Sequence, residues 1–145
     1  MPEASNHNSQ YKKNLELSGI SPSKRLGQNF IFDRNILNKI TTLINPDDCD
    51  LVIEIGPGLG GLSEALVNNN IKKILLVEKD RQFSHLLHEL KSKYPDQVDI
   101  VFEDAINFNF DIEEYKNISI VSNLPYNVAT KILTILLNIH YSTNK

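Results

Sequence analysis

From about residue 33 onward, the chain alternates between short apolar runs and segments with helical spacing. Four apolar runs are predicted as strands, at residues 51–55 (LVIEI), 73–77, 98–102 and 118–121. Apolar runs of this length that stop at glycine or polar residues are typical of strands buried on both faces. Because helical patterns separate the runs, the sequence predicts an α/β fold built on a parallel sheet.

The segments beside these runs place apolar residues on one helix face. Helices are predicted at residues 33–44, 61–69, 80–92 and 128–139. In the first helix, Asp33 is placed to cap the start. The apolar positions expected to face inward in that helix are Ile36, Leu37, Ile40, Leu43 and Ile44. No internal repeat and no linker divides the chain, so one domain is expected.

Composition narrows the class of protein. The 145 residues are 41% hydrophobic, and no run reaches the roughly 18 apolar residues of a membrane span. Residues 1–20 lack apolar periodicity and are interpreted as a flexible tail, and without a signal peptide a cytoplasmic location is expected. The single Cys49 cannot form an internal disulfide, and His85 and His88 lack a third ligand, so no metal is assigned.

Charge is unevenly placed along the chain. The net charge is −3, yet residues 11–39 carry six basic residues against two acidic ones. A basic segment near the start is compatible with phosphate binding and equally with a solvated surface.

A glycine-rich segment follows the first predicted strand. Residues 54–62, EIGPGLGGL, place Gly56, Gly58 and Gly61 in the pattern G-x-G-x-x-G between a strand and a helix. Glycine permits positive φ and close approach of a ligand, and a helix N-terminus presents unpaired N–H groups. The segment indicates a nucleotide-like cofactor and leaves open a nicotinamide dinucleotide or S-adenosylmethionine. A tight structural turn is the plainer alternative.

Two acidic residues follow the next two predicted strands. Glu78 comes directly after residues 73–77, and Asp104 comes shortly after residues 98–102. Ligands of open parallel sheets lie across the carboxyl ends of the strands, so Glu78 can accept hydrogen bonds from ribose hydroxyls and Asp104 from an adenine amine. Solvated loop acids are the alternative.

The motif NLPY, residues 123–126, follows the fourth predicted strand at the same edge. Asn123 offers an acceptor and a donor, Pro125 stiffens the backbone, and Tyr126 offers a flat face for a base. This combination favours contact with a planar amine. A proline turn with a half-buried tyrosine is the alternative.

With these motifs in order, the sequence resembles the rRNA adenine N6,N6-dimethyltransferases from about Ser21 to Leu137. The motifs that carry the resemblance are GQNF (27–30), EIGPG (54–58), VEKD (77–80), EDA (103–105) and NLPY (123–126). The resemblance implies a Rossmann-like S-adenosylmethionine-dependent methyltransferase fold with strand order 3-2-1-4, here of about four parallel strands. GQNF, GPG and NLPY are more similar to the small-subunit (16S-type) rRNA enzymes than to the large-subunit enzymes that confer antibiotic resistance.

The resemblance also implies roles for individual residues. The residues expected to contact S-adenosylmethionine are Asn29, Ile31, Gly56, Gly58, Glu78, Asp104 and Asn123. Among them, Gly56 lies against the methionine part, Glu78 holds the ribose and Asp104 holds the adenine amine. Asn123 and the Leu124 carbonyl accept hydrogen bonds from the N6 amine of the target adenine, and Tyr126 packs on its face.

Members of this family continue well beyond the length of this chain, with further strands, an aromatic motif and a small helical domain that grips rRNA. Residues 21–145 are therefore interpreted as the N-terminal part of a methyltransferase catalytic domain, and the chain as a shortened or decayed copy with impaired activity. Small-subunit rRNA or the small ribosomal subunit is the expected partner. Two alternatives stay open: a non-catalytic RNA-binding remnant and a nicotinamide-dependent oxidoreductase.

Overall fold

The computed structural model describes Gly19, residues 30–110 and residues 112–143. Four parallel strands form one sheet in the order β3-β2-β1-β4. The strands are β1 (Leu51–Ile55), β2 (Ile74–Val77), β3 (Val98–Val101) and β4 (Ile118–Ser122). The predicted α/β fold and strand order are confirmed, and each strand boundary lies within one residue of its prediction.

The helices flank this sheet. They are α1 (Arg34–Thr41), α2 (Gly61–Asn68), α3 (Ser84–Lys93), which follows a 3-10 turn at Arg81–Phe83, and α4 (Tyr126–Thr143). The tail at residues 1–20, apart from Gly19, lies outside the described residues, so its flexibility stays a prediction. The division of the chain at residue 21 stays a prediction as well.

Two apolar clusters cover the two faces of the sheet. Val52 of β1 packs with residues of α1, α2 and α3, among them Leu66 and Leu87. Ile53 of β1 faces the other side, where it packs with Ile132 of α4. The alternation of side chains along a strand explains why neighbouring residues of β1 belong to different clusters. All five residues of β1 are buried.

The first helix is shorter than predicted. Asp33 caps it as expected, accepting a hydrogen bond from the Asn35 amide at 2.8 Å. The helix ends at Thr41, and the next bonds are i to i−3, from Leu43 N to Ile40 O and from Ile44 N to Thr41 O.

This tightening of the last turn changes which side chains face inward. The turn leaves Leu43 86% exposed and brings Ile44 into the core. Ile36 is 47% exposed, so the prediction that Ile36 and Leu43 face inward is wrong.

The last helix is longer than predicted. It begins at Tyr126 and ends at Thr143, whereas the apolar spacing predicted residues 128–139. The Pro125 carbonyl accepts hydrogen bonds from the amides of Val128 (3.0 Å) and Ala129 (2.9 Å), so proline stands at the helix start. Proline suits this position because its missing N–H would have no intrahelical partner there. Tyr126 therefore belongs to the first turn of α4.

Candidate functional site

A cavity lies at the carboxyl edge of the sheet, and we call it the edge cavity. Its volume is about 190 Å³. The segments that line it include residues 30–32, 54–59, 77–80, 103–106 and 123–125. Loops after all four strands therefore meet at one place, as the sequence predicts for a parallel sheet.

The glycine loop forms one wall of the edge cavity. Gly56 and Gly58 have φ of +69° and +55°, a region that side-chain-bearing residues rarely adopt. A Cβ atom at Gly58 would lie 2.9 Å from a ring carbon of Phe30, and one at Gly56 would lie 3.1 Å from Leu124 Cδ2. Glycine is thus required here both for backbone conformation and for close packing beneath the cavity.

Glu78 fastens the glycine loop to the end of β2. Its Oε2 accepts a hydrogen bond from the Gly58 amide at 3.0 Å, and its Oε1 accepts one from the Asp80 amide at 2.8 Å. Burial raises the pKa of this carboxyl, and the bonds from the Asp80 and Gly58 amides oppose that rise. The contact with Gly58 was not foreseen from sequence, which predicted only a ligand-facing role for Glu78.

Asp104 lies at the same edge but is already engaged. Its Oδ2 forms an ion pair with Lys79 Nζ at 2.6 Å, and its Oδ1 accepts a hydrogen bond from the Ile106 amide at 3.1 Å. The hydrogen bond from Lys79 lowers the pKa of Asp104, so the carboxyl is ionised at neutral pH. The side chain keeps 26% of its surface exposed, so one face remains accessible to a ligand.

The NLPY segment divides between the cavity and the surface. Asn123, Leu124 and Pro125 line the edge cavity. Tyr126 is 94% exposed and is not part of the lining. The predicted acceptor residues, Asn123 and Leu124, therefore line the cavity, whereas the predicted stacking residue, Tyr126, is exposed to solvent.

The entry segment contributes a third wall. Ile31 lines the edge cavity, as the resemblance implies, together with Phe30 and Phe32. Phe30 makes edge-to-face contacts with Phe32 and with Phe83, at centroid distances of 6.2 and 5.9 Å. Asn29, the other residue predicted in this wall, lies outside the described residues.

Sequence reasoning missed one buried acid in the cavity wall. Glu54, inside the apolar run LVIEI, is 2% exposed and lines the edge cavity. Its Oε2 accepts a hydrogen bond from Ser63 Oγ at 2.6 Å. Burial raises the pKa of Glu54 to about 8, and the Ser63 bond opposes this rise. An ionisable residue within a buried strand was the available signal.

Within the described part of the chain, no helix is long and apolar enough to cross a membrane. The same residues contain no group of three or more His, Cys, Asp and Glu side chains arranged to hold a metal ion. The cytoplasmic location and the absence of a metal stay predictions.

Solved structures with this arrangement define the class of protein. The described fold matches a 23S rRNA methyltransferase, ErmE, with a TM-score of 0.63 at 24% identity, covering 73% of this chain and 41% of that one. It matches a dimethyladenosine transferase from Plasmodium falciparum with a TM-score of 0.58 at 26% identity, covering 72% and 37%. The fold is a Rossmann-like methyltransferase fold.

The sequence comparisons identify the family. Residues 21–145 match the family described as ribosomal RNA adenine dimethylase, and the chain belongs to it. A curated relative, ribosomal RNA small subunit methyltransferase A of Agrobacterium fabrum, is 37% identical over 121 residues. That alignment covers 82% of this chain and 44% of the relative, so the chain spans less than half the relative's length. The predicted resemblance is confirmed.

Proposed function

We propose that the chain binds S-adenosylmethionine in the edge cavity and takes part in N6,N6-dimethylation of an adenine in small-subunit rRNA. The observation that carries the proposal is the convergence of Gly56, Glu78, Asp104 and Asn123 on one cavity. Family membership supports the reaction, and relatives named for the small ribosomal subunit support that target.

The residues of the cavity fit the adenosine part of this cofactor. Each carboxylate oxygen of Glu78 accepts one hydrogen bond from a backbone amide, and each has a further lone pair that can accept a hydrogen bond from a ribose hydroxyl. Asp104 would accept a hydrogen bond from the adenine amine on its accessible face, or that bond would replace its contact with Lys79. Gly56 lines the cavity at positive φ, where it would lie against the methionine part, and Ile31 belongs to the entry wall. Asn29, which is outside the described residues, would contact the cofactor from the same segment.

The cofactor supplies an activated methyl group, and the protein's contribution is to position the acceptor. The adenine N6 amine is a weak nucleophile because its lone pair is delocalised into the ring. Hydrogen bonds from that amine to the Asn123 side chain and the Leu124 carbonyl would orient the lone pair, and Tyr126 would hold the base by stacking. The exposed position of Tyr126 suits a ligand that arrives from outside the cavity.

Cofactor titration tests the first half of the proposal. The purified chain is titrated by calorimetry with S-adenosylmethionine, S-adenosylhomocysteine and NAD. We expect both sulfur compounds to bind and NAD to bind more weakly, because Glu78 and Asp104 are directed at the adenosine part and no group among the described cavity residues is assigned to a nicotinamide. Equal affinity for NAD would favour the oxidoreductase alternative instead.

Methyl transfer tests the second half. The chain is incubated with labelled S-adenosylmethionine and unmethylated small ribosomal subunits, and the rRNA is analysed for dimethyladenosine. Asn123→Ala should lower transfer more than it lowers cofactor affinity, because it removes orientation of the reacting amine. Cofactor and subunit binding without any transfer would favour the non-catalytic RNA-binding alternative.

A further inference from the structure

Glu54 is a buried carboxyl group for which the proposed reaction has no use. It is the fourth of the five residues of β1, where its backbone is paired with Leu76 on one side and Val121 on the other. It shares a sheet face with Val52, and it is 2% exposed. Despite its burial, Glu54 is one of the residues that line the edge cavity. A charge there would have almost no water to screen it from a bound ligand.

Only one of its two carboxyl oxygens has a partner among the described residues. Oε2 accepts the Ser63 hydroxyl at 2.6 Å, and Ser63 is itself fully buried in the first turn of α2. No side chain caps α2, whose N-cap residue is Gly60. The other oxygen, Oε1, makes no hydrogen bond within the described part of the chain, and Glu54 is one of the cavity-lining residues.

The electrostatic surroundings of Glu54 are mostly acidic. The charged residues that share the cavity wall with it are Arg34, Glu78, Lys79, Asp80, Glu103 and Asp104. Lys79 is already paired with Asp104. Glu64, the acid in the first turn of α2, lines a separate small groove. β4 carries no charged side chain, so Glu78 is the ionisable group whose negative charge acts on Glu54.

We propose that Glu54 distinguishes the cationic cofactor from its uncharged product through the charge on its own carboxyl group. This inference rests on the proposed use of S-adenosylmethionine. The cofactor carries a positive sulfonium, which becomes a neutral thioether in S-adenosylhomocysteine, while the rest of the molecule is unchanged. A protonated Glu54 treats the two alike, whereas an ionised Glu54 attracts the sulfonium and favours release of the product.

The direction of the pH effect follows from the state of the free protein. Burial raises the pKa of Glu54 to about 8, with the negative charge of Glu78 adding to the rise and the Ser63 bond opposing it. Below that pH the group is mostly neutral, and above it mostly charged. The preference for S-adenosylmethionine over S-adenosylhomocysteine should therefore increase between pH 6 and pH 9. If the sulfonium binds within about 10 Å of the Glu54 carboxyl, at an effective dielectric constant near 20, the increase would be on the order of at least tenfold.

The experiment measures both dissociation constants across this pH range on the 145-residue chain. The α-amino groups of both ligands have a usual pKa of about 8 and therefore titrate in the same pH range. A pH effect in the parent alone would not show that Glu54 causes it. Glu54→Gln is the matched variant, because its amide oxygen still accepts the Ser63 hydroxyl while the charge is gone. Ser63→Ala keeps the carboxyl and removes a bond that lowers its pKa, so it should move the transition to higher pH.

We take the ratio of the dissociation constant of S-adenosylhomocysteine to that of S-adenosylmethionine. Between pH 6 and pH 9 we expect this ratio to rise by at least about threefold more in the parent than in Glu54→Gln. A parallel rise in parent and Glu54→Gln would overturn the inference, and so would a flat ratio in the parent. If Glu54→Gln does not fold, an unchanged transition in Ser63→Ala overturns it equally. Failure of both ligands to bind the parent would overturn the proposed function itself, a result distinct from binding with a flat ratio.

Discussion

The two hydrogen bonds that Glu78 accepts make its replacement a graded test of the site. Its carboxylate provides one oxygen to the Gly58 amide and the other to the Asp80 amide. Glutamine has the same shape but only one acceptor atom, so either orientation of its amide turns an NH₂ group toward one of these two donors. Alanine leaves both donors without an acceptor and removes the proposed partner of the ribose hydroxyls.

These contacts set the expected size of the effect. A hydrogen bond to a charged group contributes about 1.5–3 kcal/mol, which corresponds to roughly 10- to 150-fold in affinity. We expect Glu78→Gln to weaken S-adenosylmethionine binding by an amount in this range and Glu78→Ala to weaken it at least as much. Burial of the carboxyl, which raises its pKa, is relieved in both variants. The free energy of unfolding should also fall, because backbone amides lose their acceptor, while relief of the buried charge offsets part of that loss.

Isothermal titration calorimetry and urea unfolding measure the two quantities on the same preparations. Asp99→Asn is the matched control, because it also removes one acidic charge but from an exposed residue of β3 that pairs with Lys91. We expect the control to bind S-adenosylmethionine like the parent. Parent-like affinity in Glu78→Ala would refute the assignment of this carboxylate to the cofactor, and a large loss in Asp99→Asn would show that net charge, not contact, governs binding.

The other expected outcomes concern the loop, the exposed ring and the buried acid. Gly58→Ala should lower the free energy of unfolding by about 1–3 kcal/mol in urea, because the new Cβ would lie 2.9 Å from Phe30 at positive φ. Gly61→Ala, at 3.5 Å from its nearest neighbour and without positive φ, should be nearly neutral. Tyr126→Ala should change the free energy of unfolding by no more than about 0.5 kcal/mol. It should lower the rate of methyl transfer to small subunits by an amount equivalent to about 1–3 kcal/mol. Unchanged transfer would exclude a stacking role. Because the pKa of Glu54 is raised from 4.5 to about 8, the folded state keeps a proton that the unfolded state loses, so stability should fall from pH 5 to pH 8. Glu54→Gln should flatten this slope in unfolding measured across that range, and an equal slope in both proteins would contradict the assignment.

Patterns that depend on strand burial and chain order could be predicted from the sequence. The four apolar runs gave the strands to within one residue, and the residues after each run gave most of the cavity wall, including Glu78 and Asp104. These predictions succeed because parallel strands place their carboxyl ends at one edge whatever the details of packing.

Features that depend on local hydrogen-bond choice or on packing could not be predicted. Leu43 and Ile44 both fit a helix face, and only the switch to i to i−3 bonds decides that Leu43 is exposed and Ile44 buried. The apolar spacing of α4 starts only at Val128, and Pro125 fits a turn as well as a helix start, so the spacing alone leaves Tyr126 outside the helix. The raised pKa of Glu54 comes from its burial, which requires that α2 has packed on the sheet, and that packing also brings Ser63, nine residues later, to its Oε2.

The walls of the edge cavity come from parts of the chain as distant as Ile31 and Val128. A ligand that touches all of them can bind only when every strand and its loop are in place, so it has no comparable affinity for the unfolded chain. A bound ligand then stabilises the whole fold, adding about 2.7 kcal/mol to the free energy of unfolding at a ligand concentration one hundred times the dissociation constant. The shift in melting temperature thereby becomes a measure of ligand affinity, and compounds can be ranked by that shift before any methyl transfer is observed.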